Sequence, residues 1–225
     1  MTTKNQPRIA VLALQGAFAE HISMLRSLGV ETFEVRCLDD WRIDKDALVI
    51  PGGESTVMGR IMLDEGLLEP IRNSIAQGLP VMGTCAGCIL LASDVVEAAS
   101  PSSAQTIDNE KGLRQLSSRR PNIGTIDMKV VRNAYGRQLG SFTAVASVDG
   151  IGDDVPMTFI RAPYIMDVGK DVDVLAKVDG KIVAARQGKQ LALTFHPELP
   201  FCSSEGNAHK MTFDKRIHEY FLSMI

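Results

Sequence analysis

Short apolar runs alternate with segments of helical periodicity through the first half of the chain. The apolar runs cover residues 8–14, 32–38, 47–51 and 80–83. Between and after them, apolar residues recur at helical spacing over residues 17–28, 57–63, 67–76 and 87–91. A continuous apolar run is typical of a parallel strand that is covered on both faces. The alternation therefore predicts crossover connections and an α/β fold built on one doubly wound, mostly parallel sheet.

The second half of the chain has the pattern of shorter strands. Candidate strands cover residues 126–131, 141–147, 158–160, 172–178, 181–186 and 191–195. Turns at Asp179-Gly180 and Gly188-Lys189 separate the last three candidates, which predicts an antiparallel extension of the sheet. The polar stretch 100–121 predicts a surface loop, and residues 213–224 show a further helical pattern.

Length and composition favour one globular domain. The chain has 225 residues, of which 45% are hydrophobic and 23% charged, so residues 1–225 are expected to share a substantial core. The net charge of −3 predicts no general attraction for nucleic acid or for an anionic membrane. Neither a signal-peptide pattern nor an apolar run of membrane-spanning length is present. Four irregularly spaced cysteines favour a reduced, cytoplasmic compartment over a disulfide scaffold.

One cysteine lies where the fourth apolar run meets a helical segment. Gly83-Thr84-Cys85-Ala86-Gly87 is a G-x-C-x-G form of the nucleophile elbow, a strained turn that holds a reactive side chain clear of a sheet. Small flanking residues suit such a turn, and a helix N-terminus favours the thiolate form that attacks carbonyl carbon. Cys85 is therefore a candidate nucleophile, and the alternative is a buried structural cysteine.

A histidine and a glutamate follow the last apolar strand. Side chains of an extended chain repeat every two residues, so His196 and Glu198 are expected on the same face. The carboxylate would then fix the tautomer of the imidazole, and Cys85, His196 and Glu198 would form a catalytic triad. The alternative is a strand end with a surface acid. The other three histidines, His21, His209 and His218, are expected to be solvated.

The third apolar run ends in a double glycine. Consecutive glycines let backbone N–H groups turn toward a ligand, so the amides of Gly53 and Ala86 are candidates for holding an oxyanion. Taken alone, a double glycine after a strand such as Gly52-Gly53 more often forms just an ordinary turn.

Several motifs together carry a specific resemblance. Those motifs are ALQGAFAEH, PGGEST, GTCAG, RNAYGRQ, FIRAP, TFHPEL and DKRIHEYF, in this order. Over nearly the whole chain they resemble the glutaminase subunits of pyridoxal 5′-phosphate synthase, which are class I, triad-type glutamine amidotransferases with a flavodoxin-like sheet. The resemblance implies a Cys85 nucleophile, a His196 base and a Glu198 that orients the imidazole.

The resemblance also implies a substrate, a partner and a binding site. Family members hydrolyse L-glutamine and pass the ammonia to a separate barrel-shaped synthase subunit, without a metal or organic cofactor of their own, and are weakly active when free. The residues implied to bind L-glutamine are Gly53, Glu54, Ser55, Arg132, Ile160 and Arg161. Compared with compact bacterial members, residues 100–121 and 201–211 are expected to be insertions, and Pro200 stands where threonine is common.

Four other interpretations remain open at the level of sequence. Cys85-Ala86-Gly87-Cys88 with His196-Pro197-Glu198 contains the elements of a zinc deaminase signature, although in the reverse order. The same cysteine pair is also a weak match to a thioredoxin-like redox motif. An amidotransferase-like fold without catalysis, or a glutaminase that serves a different synthase, would have much the same sequence.

Overall fold

The structure is a computed structural model that describes residues 6–98, 113–115, 121–132, 140–205 and 208–225. Its strands are β1 (Arg8–Leu12), β2 (Glu31–Val35), β3 (Ala47–Ile50), β4 (Val81–Thr84), β5 (Ala92–Ala98), β6 (Leu113–Gln115), β7 (Ile126–Arg132), β8 (Ser141–Val148), β9 (Gly152–Ile160), β10 (Tyr164–Val168), β11 (Asp173–Val178), β12 (Lys181–Gln187), β13 (Gln190–Leu193), β14 (Phe201–Glu205) and β15 (Ala208–Thr212). Its helices are α1 (Phe18–Ser27), α2 (Leu38–Trp41), α3 (Ser55–Asp64), α4 (Leu68–Ala76), α5 (Ala86–Leu91) and α6 (Arg216–Leu222).

An 11-stranded mixed sheet forms the centre of the molecule. Its order is β2-β1-β3-β4-β13-β12-β10-β7-β5-β6, with β11 paired to β12. The first five strands are parallel, and their order matches the flavodoxin-like 2-1-3-4-5 arrangement. The antiparallel pairs of β11, β12 and β13 then extend it. The predicted α/β sheet with an antiparallel extension is therefore confirmed.

Hydrophobic side chains of the parallel strands point alternately to two cores. Ile9 and Val11 of β1 pack on the face that α1 and α6 cover, with Ile22 and Ile217. Ala10 and Leu12 face the opposite way, toward the core that α3, α4 and α5 complete. Each large apolar side chain that is fully buried in this way contributes roughly 1.5–3 kcal/mol. Burial on both faces explains why these strands have continuous apolar sequences.

The structure also contains elements that the periodicity did not predict. Strands β5 and β10 were absent from the predicted set, and β9 begins six residues before the predicted start of its strand. Most of the predicted loop 100–121 lies outside the described residues, although β6 falls within it. Stretch 201–211 largely forms the hairpin β14–β15. Within the described residues, no helix is long and apolar enough to cross a membrane.

Candidate active site

Cys85 occupies a sharp turn between β4 and α5. Its backbone has φ 49° and ψ −99°, in the left-handed half of conformational space that non-glycine residues rarely adopt. The N–H group of Cys85 donates a 2.8 Å hydrogen bond to the carbonyl oxygen of Leu193, which attaches the turn to β13. This conformation is that of a nucleophile elbow, as the sequence predicts.

Close backbone packing explains the glycines on either side of the elbow. A Cβ atom on Gly87 would lie 2.1 Å from the carbonyl oxygen of Ile50 in β3, and one on Gly83 would lie 2.7 Å from the Gly87 backbone. Neither site can accept a side chain without moving backbone. These two glycines thus serve the contact of α5 with β3 and β4, whereas the sequence argument attributed them to the strain of the turn.

His196 and Glu198 follow β13 and lie next to each other. Nδ1 of His196 is 2.6 Å from Oε1 of Glu198, and both residues are buried. The backbone N–H of His196 also donates a 2.8 Å bond to the carbonyl oxygen of Thr158 in β9. An ionised carboxylate only accepts hydrogen bonds, so Glu198 requires a proton on Nδ1.

Cys85 and His196 line the same cavity, and the side chain of Cys85 is close enough to raise the pKa of His196. Burial lowers the pKa of His196, but the hydrogen bonds with Cys85 and Glu198 and the charge of Glu198 outweigh it and raise the pKa to about 10. Burial also raises the pKa of Glu198, but the neighbouring His21 and His196 lower it by more than burial raises it. The net shift of this pKa is therefore downward. The geometry thus brings together all three residues of the predicted triad.

A cavity of about 400 Å³ opens in front of the cysteine and histidine. It lies beyond the carboxyl ends of β1, β3 and β4, the position at which doubly wound sheets bind ligands. Its walls contain eight residues that the sequence analysis singled out, namely Gly53, Glu54, Ser55, Cys85, Arg132, Ile160, Arg161 and His196. Ala86 is fully buried in α5 and is not part of the wall, and Glu198 lies behind His196.

Glu54 and Arg132 are already paired across the cavity wall. The carboxylate of Glu54 accepts hydrogen bonds from the backbone N–H groups of Thr56 and Val57, at 3.0 and 2.8 Å, and so caps α3. Arg132 donates to Glu54 Oε1 and to the hydroxyl of Thr56, both at 3.0 Å. Burial raises the pKa of Glu54, but these amide bonds and the Arg132 charge lower it overall.

Five cavity residues had no predicted role. They are Gln15, Gly16, Ala17, Gly52 and Ile89. The turn after β1 carries the first three, and a turn at the carboxyl end of a parallel strand was the available signal for them. Oε1 of Gln15 accepts a 2.9 Å hydrogen bond from the N–H of Glu54, so this turn holds the double-glycine loop in place.

Two of the three histidines expected to be solvated are instead fully buried. His21 on α1 and His218 on α6 have no exposed surface, and Nδ1 of His21 lies 3.1 Å from Nε2 of His218. The prediction of solvated rings is wrong because α1 and α6 pack side by side on one face of the sheet. The side chain of His209 lies outside the described part of the chain.

Cys88 is buried inside the protein, and its burial argues against the zinc and redox interpretations. Its side chain has no exposed surface, and burial raises the pKa of the thiol. A neutral thiol is a poor metal ligand. Among the residues that the structure describes, no group of three or more His, Cys, Asp or Glu side chains is placed to hold a metal ion.

Removing the thiol is expected to lower the pKa of His196. The Cys85→Ala variant loses the interaction that raises this pKa most. The effect of burial, which lowers the pKa of His196, is then opposed less. The pKa follows from the pH dependence of the imidazole ¹³C shifts in nuclear magnetic resonance (NMR) spectra, with Cys37→Ala as the control, since Cys37 lies outside the site. An unchanged His196 titration in Cys85→Ala would contradict the contact.

The chain is similar to known proteins over almost its whole length. Residues 11–225 match the model of the SNO glutamine amidotransferase family. A protein of Methanocorpusculum labreanum called pyridoxal 5′-phosphate synthase subunit PdxT is 53% identical over 97% of both chains. A PdxT protein of Streptococcus pneumoniae is 46% identical over 96% of both chains. A crystal structure of a glutamine amidotransferase covers 96% of this chain and 97% of its own, with 37% identity and a TM-score of 0.78.

Proposed function

The chain belongs to the SNO glutamine amidotransferase family, and from that premise we propose that it is the glutaminase subunit of a pyridoxal 5′-phosphate synthase. It hydrolyses L-glutamine to L-glutamate and ammonia, and the ammonia passes to a partner synthase subunit. The observation that carries the proposal is His196, which joins Cys85 at the cavity to the buried Glu198. We assign residues 1–225 to one such domain, located in the cytoplasm.

Acylation begins with attack of the Cys85 thiolate, whose proton His196 holds, on the side-chain amide carbon of glutamine. The C–S bond forms as the carbonyl π pair moves to oxygen, and the Gly53 and Ala86 amides are the proposed donors to that oxyanion. His196 then gives its proton to the amide nitrogen as the C–N bond breaks. Ammonia leaves, and a γ-glutamyl thioester remains on Cys85.

Deacylation uses the same imidazole in the opposite sense. His196, now neutral, accepts a proton from water while the water oxygen attacks the thioester carbon. The C–S bond breaks, the sulfur recovers its electron pair, and glutamate is released. Glu198 stays ionised throughout, since its role is to keep the proton on Nδ1 of His196 and to stabilise the imidazolium.

The cavity wall supplies charges that suit the other end of glutamine. Arg132 is proposed to lie by the α-carboxylate, where a charge-assisted hydrogen bond would fix orientation. The downward pKa shift of Glu54 keeps a negative charge beside the guanidinium, which suits the α-ammonium group. Ser55, Ile160 and Arg161 are proposed to complete the glutamine site.

Partner docking is the property that distinguishes this function from a free glutaminase. Glutamate release is measured for the chain alone, with a pyridoxal 5′-phosphate synthase subunit, and with an unrelated barrel protein as control. We expect weak release from the chain alone, a marked increase with the synthase, and ¹⁵N from amide-labelled glutamine in the pyridoxal 5′-phosphate formed. Ammonium chloride added to the synthase alone checks that the partner is competent.

Two results would count against the proposal. Absence of glutamate release in every mixture would exclude the glutaminase activity. Release that is unaffected by the synthase, with no complex on size-exclusion chromatography, would assign the ammonia to another acceptor.

Substituting Gly52 is expected to damage catalysis through the position of His196. A Cβ on Gly52 would lie 2.4 Å from Cε1 of the His196 ring, so Gly52→Ala must displace the imidazole or the loop. Misplacement of a catalytic group by 1 Å costs on the order of 100-fold in rate. Steady-state kinetics tests this, and Gly140→Ala, which meets no atom within 4 Å, is the matched control. Equal activity of the two variants would disprove the steric argument.

A further inference from the structure

A second buried polar cluster lies behind the triad, formed by His21, Thr84 and His218. Nε2 of His21 is 3.0 Å from Oγ1 of Thr84 and 3.3 Å from Oε2 of Glu198. Nδ1 of the same ring is 3.1 Å from Nε2 of His218. Residues of three elements that are distant in sequence therefore form one cluster, in which His21 lies against the carboxylate oxygen that His196 does not use.

The buried oxygen Oε2 of Glu198 has no well-aligned hydrogen bond from the described residues. Nε2 of His21 can carry one hydrogen, which points to Thr84. Nε2 itself is 3.3 Å from Oε2 of Glu198, so the partial positive charge of this N–H group lies against the carboxylate oxygen. Leaving a carboxylate oxygen without any donor is costly in an interior. His21 is thus the described group best placed to support it.

The hydrogen-bond partners of the two rings determine the tautomers of His21 and His218. If Nδ1 of His21 carried the proton, Nε2 of His21 would turn a lone pair toward the Glu198 carboxylate. His218 would then carry its proton on Nδ1, which is buried and has no partner among the described residues. With the protons on Nε2 instead, His218 donates to His21, and His21 donates to Thr84 while the same N–H lies against Oε2 of Glu198. Nδ1 of His218 then presents an unpaired lone pair, which costs less than an unpaired N–H.

Both rings are held neutral by their surroundings. Burial lowers the pKa of His21, although the charge of Glu198 opposes the shift. Burial, with the neighbouring His21, lowers the pKa of His218 to about 3. No positive charge is therefore added behind Glu198, and His21 acts through an N–H dipole.

From these contacts we propose that His21 is a positioning residue for the triad: its Nε2–H, fixed by His218, supports Oε2 of Glu198 and so holds the carboxylate for His196. The inference rests on the proposed function, because the orientation of His196 matters only if that residue transfers protons. It places a residue of α1 and a residue of α6 behind the carboxylate that orients His196.

Two substitutions of equal length separate donation from packing. His21→Met removes the N–H, and His21→Gln retains an amide donor. In the complex with the synthase subunit, we expect kcat for glutamate release to fall roughly tenfold in the methionine variant, because the buried oxygen Oε2 of Glu198 then faces no polar hydrogen from the part of the chain that the structure describes. KM should change less than twofold, and the glutamine variant should recover most of kcat. Equal losses in both variants would overturn the proposal.

A double substitution tests whether His21 acts through Glu198. In a Glu198→Ala background, His21→Met should reduce kcat no further, since the carboxylate that it supports is gone. The control is Ile22→Val, a packing change on the same helix, whose effect should be the same in both backgrounds. A further tenfold loss from His21→Met in the Glu198→Ala background would overturn the proposal.

The tautomers can be read in the unsubstituted protein, independently of any activity. Imidazole ¹⁵N NMR spectra near neutral pH should show His21 and His218 neutral, each protonated at Nε2 and not at Nδ1. A proton on Nδ1 of His21 would overturn the proposal, whether or not the substituted chains fold. Failure of glutamate release in the unsubstituted complex would instead contradict the proposed function and leave this tautomer test standing.

Discussion

Replacement of Cys85 by alanine is expected to abolish glutamate release. The substitution removes the only atom that can form the thioester, and water held in the cavity has no comparable nucleophilicity. Loss of the nucleophile in hydrolases that work through a triad reduces kcat by roughly 10⁴-fold or more. The measurement is glutamate release in the presence of the synthase subunit, with the fold checked by circular dichroism.

The other two members of the triad should have graded effects. His196→Asn should be nearly as damaging as Cys85→Ala, because both proton transfers are assigned to this ring. Glu198→Ala should leave more activity, since His196 keeps its place beside Cys85 through its backbone bond to Thr158 and can still transfer protons. Cys37→Ala, a thiol outside the cavity, is the matched control. Substantial turnover in His196→Asn would contradict the assignment of the base.

Protonation of the buried His218 is expected to destabilise the folded protein as the pH falls. The pKa of His218 is about 3 in the folded state and about 6.5 in an unfolded chain. The depressed pKa contributes stability that is fully present above about pH 6.5 and is lost as the pH falls toward 3. Between pH 7.5 and pH 5 the loss for this one group is about 2 kcal/mol, measured as the free energy of unfolding in urea.

A substitution that removes the titrating group should flatten this dependence. His218→Gln keeps an N–H for His21 but cannot gain a proton in this range, so its free energy of unfolding should change less between the two pH values. Phe221→Leu, a buried change on the same helix, should lower stability by the same amount at both. An equally steep pH dependence in His218→Gln would refute the assignment.

Sequence periodicity identified the parallel half of the sheet because burial on both faces leaves a continuous apolar signal. The short motifs located the elbow, the cavity loop and the His-x-Glu pair, since each is local in sequence. The resemblance added the Arg132 and Ile160-Arg161 segments, whose approach to the cavity depends on β7 and β9. Nothing local to those strands indicated that approach.

The buried histidines show where sequence reasoning stops. His21 follows Glu20 in a helix of mixed polarity, and His218 precedes Glu219, so each has the pattern of an exposed position. Their burial follows from the side-by-side packing of α1 and α6 over β4, a contact between residues 197 positions apart. Charge and periodicity within one helix contain no information about that contact.

The position of α6 in the chain has a consequence for biosynthesis. Translation reaches α6 after every other described element, so a nascent polypeptide can fold its sheet and form the elbow before His21 meets its partner. Because of this order of synthesis, the ring of His21 is the last part of the active site to gain its hydrogen-bond partner, His218. We therefore expect the hydrogen bond between His21 and His218 to form only after α6 has left the ribosome.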